Sequence, residues 1–227
     1  MNHDAYFQLM AQRPELFHNP PECPLPVLTR EEEIQTVERQ TGRPVGIMYQ
    51  DQYICLLRDA VRRQNGAAGT YIRLLHSAGQ AGVVLLPYTA TGEVVLLRHF
   101  RHSNRSFSLE LPRGFSETGC SFQEDLRREL REELGTQPLS VTFLGQAAAD
   151  SGLMAGQARF YAVEVAGPLR PTDGKESICG VELLPLEETE RLIRTGEITD
   201  GFTLNALYLA RLHGLFQTAP AEDRPAG

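Results

Sequence analysis

The residues best suited to chemistry lie in one stretch, residues 114–136, GFSETGCSFQEDLRRELREELGT. Asp125, Glu129, Glu132 and Glu133 recur at helical spacing, so on a helix they gather on one arc with Arg128 beside them. Carboxylates at i and i+4 repel by about 0.2–0.5 kcal/mol on a bare helix. A divalent cation reverses that sign, because Mg²⁺ takes one or two carboxylates and completes its shell with water and phosphate oxygens. Taken alone, the arc also reads as a solvated acidic face, the commoner fate of a Glu-rich helix. What surrounds the arc decides between the two.

The surroundings are specific. Ser121 and Glu124 form a capping box, in which the hydroxyl accepts an orphan amide and the glutamate reaches back to the cap. Gly135 supplies the left-handed residue that ends the helix. Leu126, Leu130 and Leu134 form one apolar stripe. An extended segment, 108–111, leads through Pro112-Arg113-Gly114 into this helix. In this order the stretch resembles the Nudix box, Gly-x5-Glu-x7-Arg-Glu-U-x-Glu-Glu-x-Gly-U, where U is a bulky aliphatic residue. Gly114, Arg128, Glu129, Leu130, Glu132, Glu133 and Gly135 match, seven of the nine defined positions. Cys120 stands in place of the first glutamate, and Thr136 in place of the last aliphatic.

The resemblance implies metal-dependent hydrolysis of a nucleoside diphosphate linked to another moiety, with Mg²⁺ or Mn²⁺ as cofactor. Carried over residue by residue, it makes Glu129 and Glu133 the main metal ligands and Glu132 a third ligand or an orienter of water. The backbone carbonyl of Arg113 becomes a further ligand, and Arg128 a brace for the loop and the glutamates. In the family the first glutamate commonly pairs with that arginine. A thiol with an ordinary pKa near 8.5 is neutral at pH 7 and cannot do so, so a looser loop is expected around Cys120. No histidine or second cysteine lies nearby in sequence to make Cys120 a nucleophile or redox centre. The departure keeps a second reading open: a Nudix-fold nucleotide-binding or sensor protein with weakened turnover.

Just before the box, Arg98-His99-Phe100-Arg101-His102 with Arg105 is a basic cluster in an acidic chain. Arginine forks suit diphosphate oxygens; the alternative is a surface loop with core aromatics. The segment running on to Glu110-Leu111-Pro112-Arg113-Gly114 resembles the ADP-ribose and nucleotide-sugar pyrophosphatase branch, with its Arg-Gln-Tyr-Arg and Glu-Leu-Pro-Ala-Gly elements. That resemblance spans roughly residues 52–203. It implies ADP-ribose or another nucleotide sugar as substrate, nucleoside monophosphate and sugar phosphate as products, and a homodimer whose N-terminal strands help to form the site. Arg98, Arg101, Arg105, Glu110 and Arg113 are the substrate-binding candidates. The branch's acidic pair after Ser-Pro-Gly has no counterpart at Ala155-Gly156, so the base would be Asp150, Glu176 or Glu132.

The elements that must position these groups can be read from periodicity. Hydrophobic content of 41%, charged content of 22% and a net charge of −7 fit a globular chain and argue against a nucleic-acid backbone binder. The four cysteines form no CxxC pair, which argues against a disulfide framework or zinc site. No secretory leader or membrane-length apolar run is evident, so a cytoplasmic protein without membrane contact is expected. Residues 1–44 read as a helical and proline-rich appendage, with helices at 4–12 and at 30–40, the second capped by Thr29 and Glu32. Residues 45–217 read as the Nudix domain, with accessory strands in 45–80 and a hairpin of 83–88 and 93–98 around Thr91-Gly92. Two helices close it, 186–195 and 199–216, the latter with Leu204, Leu207 and Leu212 inward. A disordered tail, 218–227, follows. The fold class is α+β, and the resemblance implies the Nudix α/β/α sandwich around a mixed sheet.

Overall fold

A computed structural model of the chain describes residues 3–77, 82–117, 119–171 and 177–216. The proposed tail at 218–227 and Glu176 lie outside the described residues. The chain divides into two compact units, one drawn from Met1–Gly79 with Asp150–Gly156, the other from Gln80–Ala149 with Gln157–Gly227.

The first unit is a three-stranded antiparallel meander, β1 (Gly46–Gln50), β2 (Ile54–Arg62) and β3 (Ala68–His76), covered by α1 (Asp4–Gln12) and α2 (Glu31–Thr41). Its core is Tyr6, Phe17, Ile34, Val37, Val45, Leu57 and Leu75. Helix α2 starts one residue later than the capping pattern predicts. Arg30 is the N-cap, in extended conformation, and no side chain caps the helix. Arg30 instead pairs with Glu33 at 3.0 Å, so charge pairing replaces the capping box. Gly42 ends the helix at φ 66°, as expected.

A buried polar knot ties α1 to this sheet. The Tyr6 hydroxyl donates to Asp59 Oδ1 at 2.5 Å, and Arg73 Nε donates to Asp59 Oδ2 at 2.5 Å. Arg73 also donates to the Leu16 carbonyl at 2.6 Å and lies over the Phe17 ring. Burial, and then the neighbouring Asp59 charge, push the Tyr6 phenol well above its ordinary pKa, so it remains a donor. Tyr6→Phe should therefore lower stability by about 1.5–3 kcal/mol, the range for a hydrogen bond to a charged group. Urea denaturation of the full chain measures it.

The second unit holds a mixed sheet with strand order β10-β5-β4-β9-β8: β4 (Val83–Tyr88), β5 (Val94–Arg101), β8 (Ser140–Ala147), β9 (Ala158–Glu164) and β10 (Ile178–Leu184). Two short strands, β6 (Ser106–Glu110) and β7 (Arg113–Gly114), pair with β5 and β4 respectively. The expected β4–β5 hairpin opens at once, the arms pairing only at Tyr88↔Val94. The reason is competition for edges. Strand β4 pairs in parallel with β9 and antiparallel with β7, while β5 is flanked by β10 and β6. The splay admits residues 106–114 between the two arms.

Alternation along β4, β5 and β9 sends one set of side chains to each face. Val83, Leu85, Val95, Leu97, Tyr161 and Val163 meet Leu126, Leu130 and Leu134 of α3 (Phe122–Leu134). Val84, Leu86, Val94, Leu96, Phe160 and Ala162 meet α4 (Leu186–Arg194) and α5 (Gly201–Leu212). This is an α/β/α sandwich with α+β content, as the sequence predicts. Helix α5 is rotated from expectation. Leu207 is buried, but Leu204 and Leu212 are exposed, and Thr203, Ala206 and Ala210 complete the inward face. Its cap fixes that rotation, because Asp200 accepts from the Thr203 amide and hydroxyl, turning Thr203 inward. Among the described residues no helix is long and apolar enough to cross a membrane.

Candidate active site

Helix α3 forms as its sequence dictates, with the Ser121–Glu124 capping box complete and Gly135 left-handed at φ 64°. The apolar stripe sets the rotation, and that rotation carries the acidic arc inward. Asp125 is 0% exposed and Glu129 and Glu133 2% each, whereas the Glu132 side chain is 43% exposed. A solvated acidic face would show the opposite pattern. Unpaired carboxylates are not buried without compensation, so the burial requires cationic or donor partners.

Those partners come from β7 and from Arg128. Residues Arg113 and Gly114 pair with Val84 and Val83, which holds the loop backbone against the N-terminal end of β4. From there the Arg113 amide donates to Glu133 Oε2 at 3.1 Å. Gly114 lies so close to Glu129 that a methyl group on it would fall within the carboxylate. Arg128 Nη1 donates to Glu129 Oε1 at 2.6 Å and reaches Glu132 at 3.5 Å. Its Nη2 donates to Asp125 Oδ1 at 3.1 Å and to the Phe115 carbonyl at 3.0 Å, and its Nε lies 3.4 Å from Glu117. Burial opposes the Arg128 charge, but Glu129, Asp125, Glu117 and Glu132 outweigh it and raise its pKa further.

Cys120 is a free, partly exposed thiol. Desolvation, and then the charges of Asp125, Glu117 and Glu124, push its pKa up, so it stays neutral. Arg128 is braced by Asp125, the Phe115 carbonyl and Glu117 instead.

Ahead of the box, pairing in the β5–β6 ladder divides the basic cluster between two faces. His99 pairs with Ser108, Arg101 with Ser106 and Leu97 with Glu110, so His99, Arg101 and Glu110 share one face. Glu110 is 1% exposed and is contacted by the Arg101 guanidinium, with His99 Nδ1 at 3.2 Å, off hydrogen-bond alignment, and Arg113 Nη2 at 3.7 Å. Arg113 continues to Asp200 at 3.2 Å and lies over the Phe202 ring at 4.7 Å. Arg98 and Arg105 sit apart from this group, lying over Phe107 and Phe100. Of the other base candidates, Asp150 belongs to the first unit and accepts from the Gly152 amide at 2.9 Å. The sequence reading missed Asp125 and Glu117 as partners of Arg128, His99 as a partner of Glu110, and Asp200 as a partner of Arg113. Only the i, i+3 spacing of Asp125 and Arg128 carried a local signal.

Burial raises the Glu110 pKa, but contacts with His99 and Arg101 and the charges of Arg101 and Arg113 outweigh it and hold the carboxyl below its ordinary 4.5. A depressed carboxyl stabilises the fold above its unfolded pKa and loses that contribution as pH falls through its folded value. The melting-temperature gap between wild type and Glu110→Gln should therefore be full at neutral pH and close progressively below about pH 4.5. A gap independent of pH would count against this network.

The residues present fit a divalent cation. Glu129 and Glu133 are buried carboxylates one helical turn apart, held beside the backbone of Arg113 and Gly114. Among the described residues no three His, Cys, Asp or Glu side chains converge on one point. The fit is thus to two carboxylates with backbone, water and phosphate oxygens rather than to an all-side-chain cage.

The chain is similar to known proteins of one family. The NUDIX domain model matches residues 79–203. The GDP-mannose pyrophosphatase of Yersinia enterocolitica serotype O:8 is 30% identical over 162 residues, covering 67% of this chain and 84% of that protein. The GDP-mannose pyrophosphatase of Yersinia pestis (strain Pestoides F) is 28% identical over 162 residues, covering 67% of this chain and 81% of that protein. A solved structure described as an ADP compounds hydrolase superposes with a TM-score of 0.64 at 19% identity, covering 77% of this chain and 94% of that one, a likeness of fold.

Proposed function

Since this chain belongs to the Nudix family of hydrolases, we propose that it cleaves the diphosphate of a nucleotide sugar, giving a nucleoside monophosphate and a sugar phosphate. The observation that carries this reading is the burial of Glu129 and Glu133 against the Arg113–Gly114 backbone. The relatives named GDP-mannose pyrophosphatase support a nucleoside diphosphate linked to a sugar.

In this reading Glu129 and Glu133, with the Arg113 carbonyl and with Glu132 as a third candidate, hold Mg²⁺ or Mn²⁺. The bound cation supplies Lewis-acid stabilisation of the phosphoryl oxygens and lowers the pKa of water. Hydrolysis forms a bond from water oxygen to one phosphorus and breaks its bond to the bridging oxygen, which leaves as part of the other phosphate. Glu132 is the proposed acceptor of the water's proton, a role supported by its being the one exposed carboxylate of the arc. Arg128 keeps Glu129 oriented and ties α3 to the Phe115 carbonyl. Arg101 and Arg113, preoriented on Glu110, bind the diphosphate, and Arg98 and Arg105 with their stacked rings contact the outer part of the substrate. The protein acts in the cytoplasm on a small molecule, without nucleic-acid or membrane partners. It works as a homodimer, a state to which the exposed Tyr49, Tyr53 and Ile72 of the first unit lend apolar surface.

A panel of ADP-ribose, GDP-mannose and other nucleotide sugars, assayed with Mg²⁺ and with Mn²⁺ for phosphomonoester products, tests the reading. Metal-dependent release from at least one nucleotide sugar is expected. Tight binding without release from any of them would overturn it in favour of a sensor. Light scattering after size exclusion tests the dimer.

A further inference from the structure

We propose that Asp125 is the positioning residue that takes over the brace on Arg128 which Cys120 cannot provide. The inference rests on the metal-site reading above, but its evidence is separate. Asp125 lies wholly buried in the first turn of α3. One carboxylate oxygen, Oδ1, accepts from Arg128 Nη2 at 3.1 Å and from the Glu117 amide at 3.3 Å. The other, Oδ2, is buried without a hydrogen-bond partner among the described residues. A half-satisfied buried carboxylate is costly, and apolar side chains fill such space more cheaply. Its presence calls for a gain elsewhere, and the geometry points to where that gain falls.

Oδ1 joins three things: the loop before the helix, through the Glu117 amide; the helix, through its own backbone; and Arg128, whose Nη1 holds Glu129 at 2.6 Å. Arg128 Nη2 is shared between Asp125 and the Phe115 carbonyl, so the same guanidinium edge fixes the residue next to Gly114. In the family pattern set out above, the residue at position 120 is a glutamate that pairs with this arginine from the loop side. Asp125 reaches it from the helix side, three residues earlier on the same face. Glu117 is the weaker candidate. It stands 3.4 Å from Arg128 Nε with its side chain 60% exposed, where an ion pair contributes little.

The test compares wild type, Asp125→Ala, Asp125→Asn and the double variant Asp125→Ala/Cys120→Glu. Mn²⁺ affinity is read from the free-ion EPR signal, beside phosphate release and melting temperature. Asp125→Ala should weaken Mn²⁺ binding by about 10–100-fold, the range for groups that orient metal ligands. The isosteric Asp125→Asn, which keeps the volume and one acceptor, should lose less. Cys120→Glu should recover most of the Asp125→Ala loss in both affinity and turnover. Unchanged Mn²⁺ affinity in a folded Asp125→Ala protein would overturn the proposal. So would a double variant no better than the single one while wild type binds and hydrolyses normally, since a merely structural loss in the helix is not restored from the loop. If Asp125→Ala does not fold, a folded Asp125→Asn protein with wild-type Mn²⁺ affinity overturns it equally. Wild type that neither binds Mn²⁺ nor hydrolyses any nucleotide sugar would instead fell the metal-site reading, and this inference with it.

Discussion

Glu133→Gln is expected to remove metal-dependent hydrolysis while leaving the fold in place. Glutamine matches glutamate in shape, and its side-chain carbonyl can still accept the Arg113 amide that Glu133 Oε2 accepts at 3.1 Å. What it loses is one of the two buried charges proposed to hold the cation. Removal of a single preorganised charge-stabilising group costs about 10²–10³-fold in turnover elsewhere, and a metal ligand should cost at least that. The stability change should have the opposite sign or vanish. Without a cation, Glu133 and Glu129 are like charges in a poorly solvated site, and neutralising one relieves them. Melting temperature without metal should therefore hold or rise, while the gain on adding Mn²⁺, which follows ligand binding to the native state, should shrink. Wild-type turnover in a folded Glu133→Gln protein would remove Glu133 from the metal site.

The helix half of this site was legible because its signals are local. A capping box, a C-cap glycine and an i, i+4 leucine stripe fix where α3 begins, ends and turns, and the turn then decides that Glu129 and Glu133 are inside and Glu132 outside. The loop half was not legible, because its bonds join residues distant in sequence. The Thr203 hydroxyl accepts the Leu111 amide from 92 residues away, and Asp200 meets Arg113 from a comparable distance along the chain. No periodicity encodes such pairs. The hairpin forms at its turn, but its arms part for a related reason. Two apolar arms around Thr91-Gly92 satisfy every local rule, yet β9 and β7 compete for the edges of β4, and only the assembled sheet decides. The basic cluster shows the limit of composition: strand alternation divides Arg98 from Arg101, though they stand three residues apart.

Gly114→Ala should be nearly as damaging as loss of Glu133, by a different route. Glycine is not needed there for a left-handed backbone, since Gly114 is absent from the positive-φ residues. It is needed because a Cβ would fall within the Glu129 carboxylate. The backbone cannot step aside, because Gly114 is paired with Val83, and its carbonyl lies against Gly82, where a side chain would strike it. The movable group is the end of Glu129, and moving it breaks the 2.6 Å bond from Arg128 and displaces the proposed ligand. Overpacking of this kind costs about 1–3 kcal/mol in stability, which a domain survives, but a ligand displaced by even 1 Å costs about 10²-fold in rate. Mn²⁺ titration and phosphate release should both fail in a protein that still melts cooperatively. The double variant Gly114→Ala/Glu129→Ala separates collision from backbone strain. Without the carboxylate the added methyl has room, so stability should recover beyond the sum of the single changes, while hydrolysis stays absent. Additive losses would mean that the glycine serves the loop rather than Glu129.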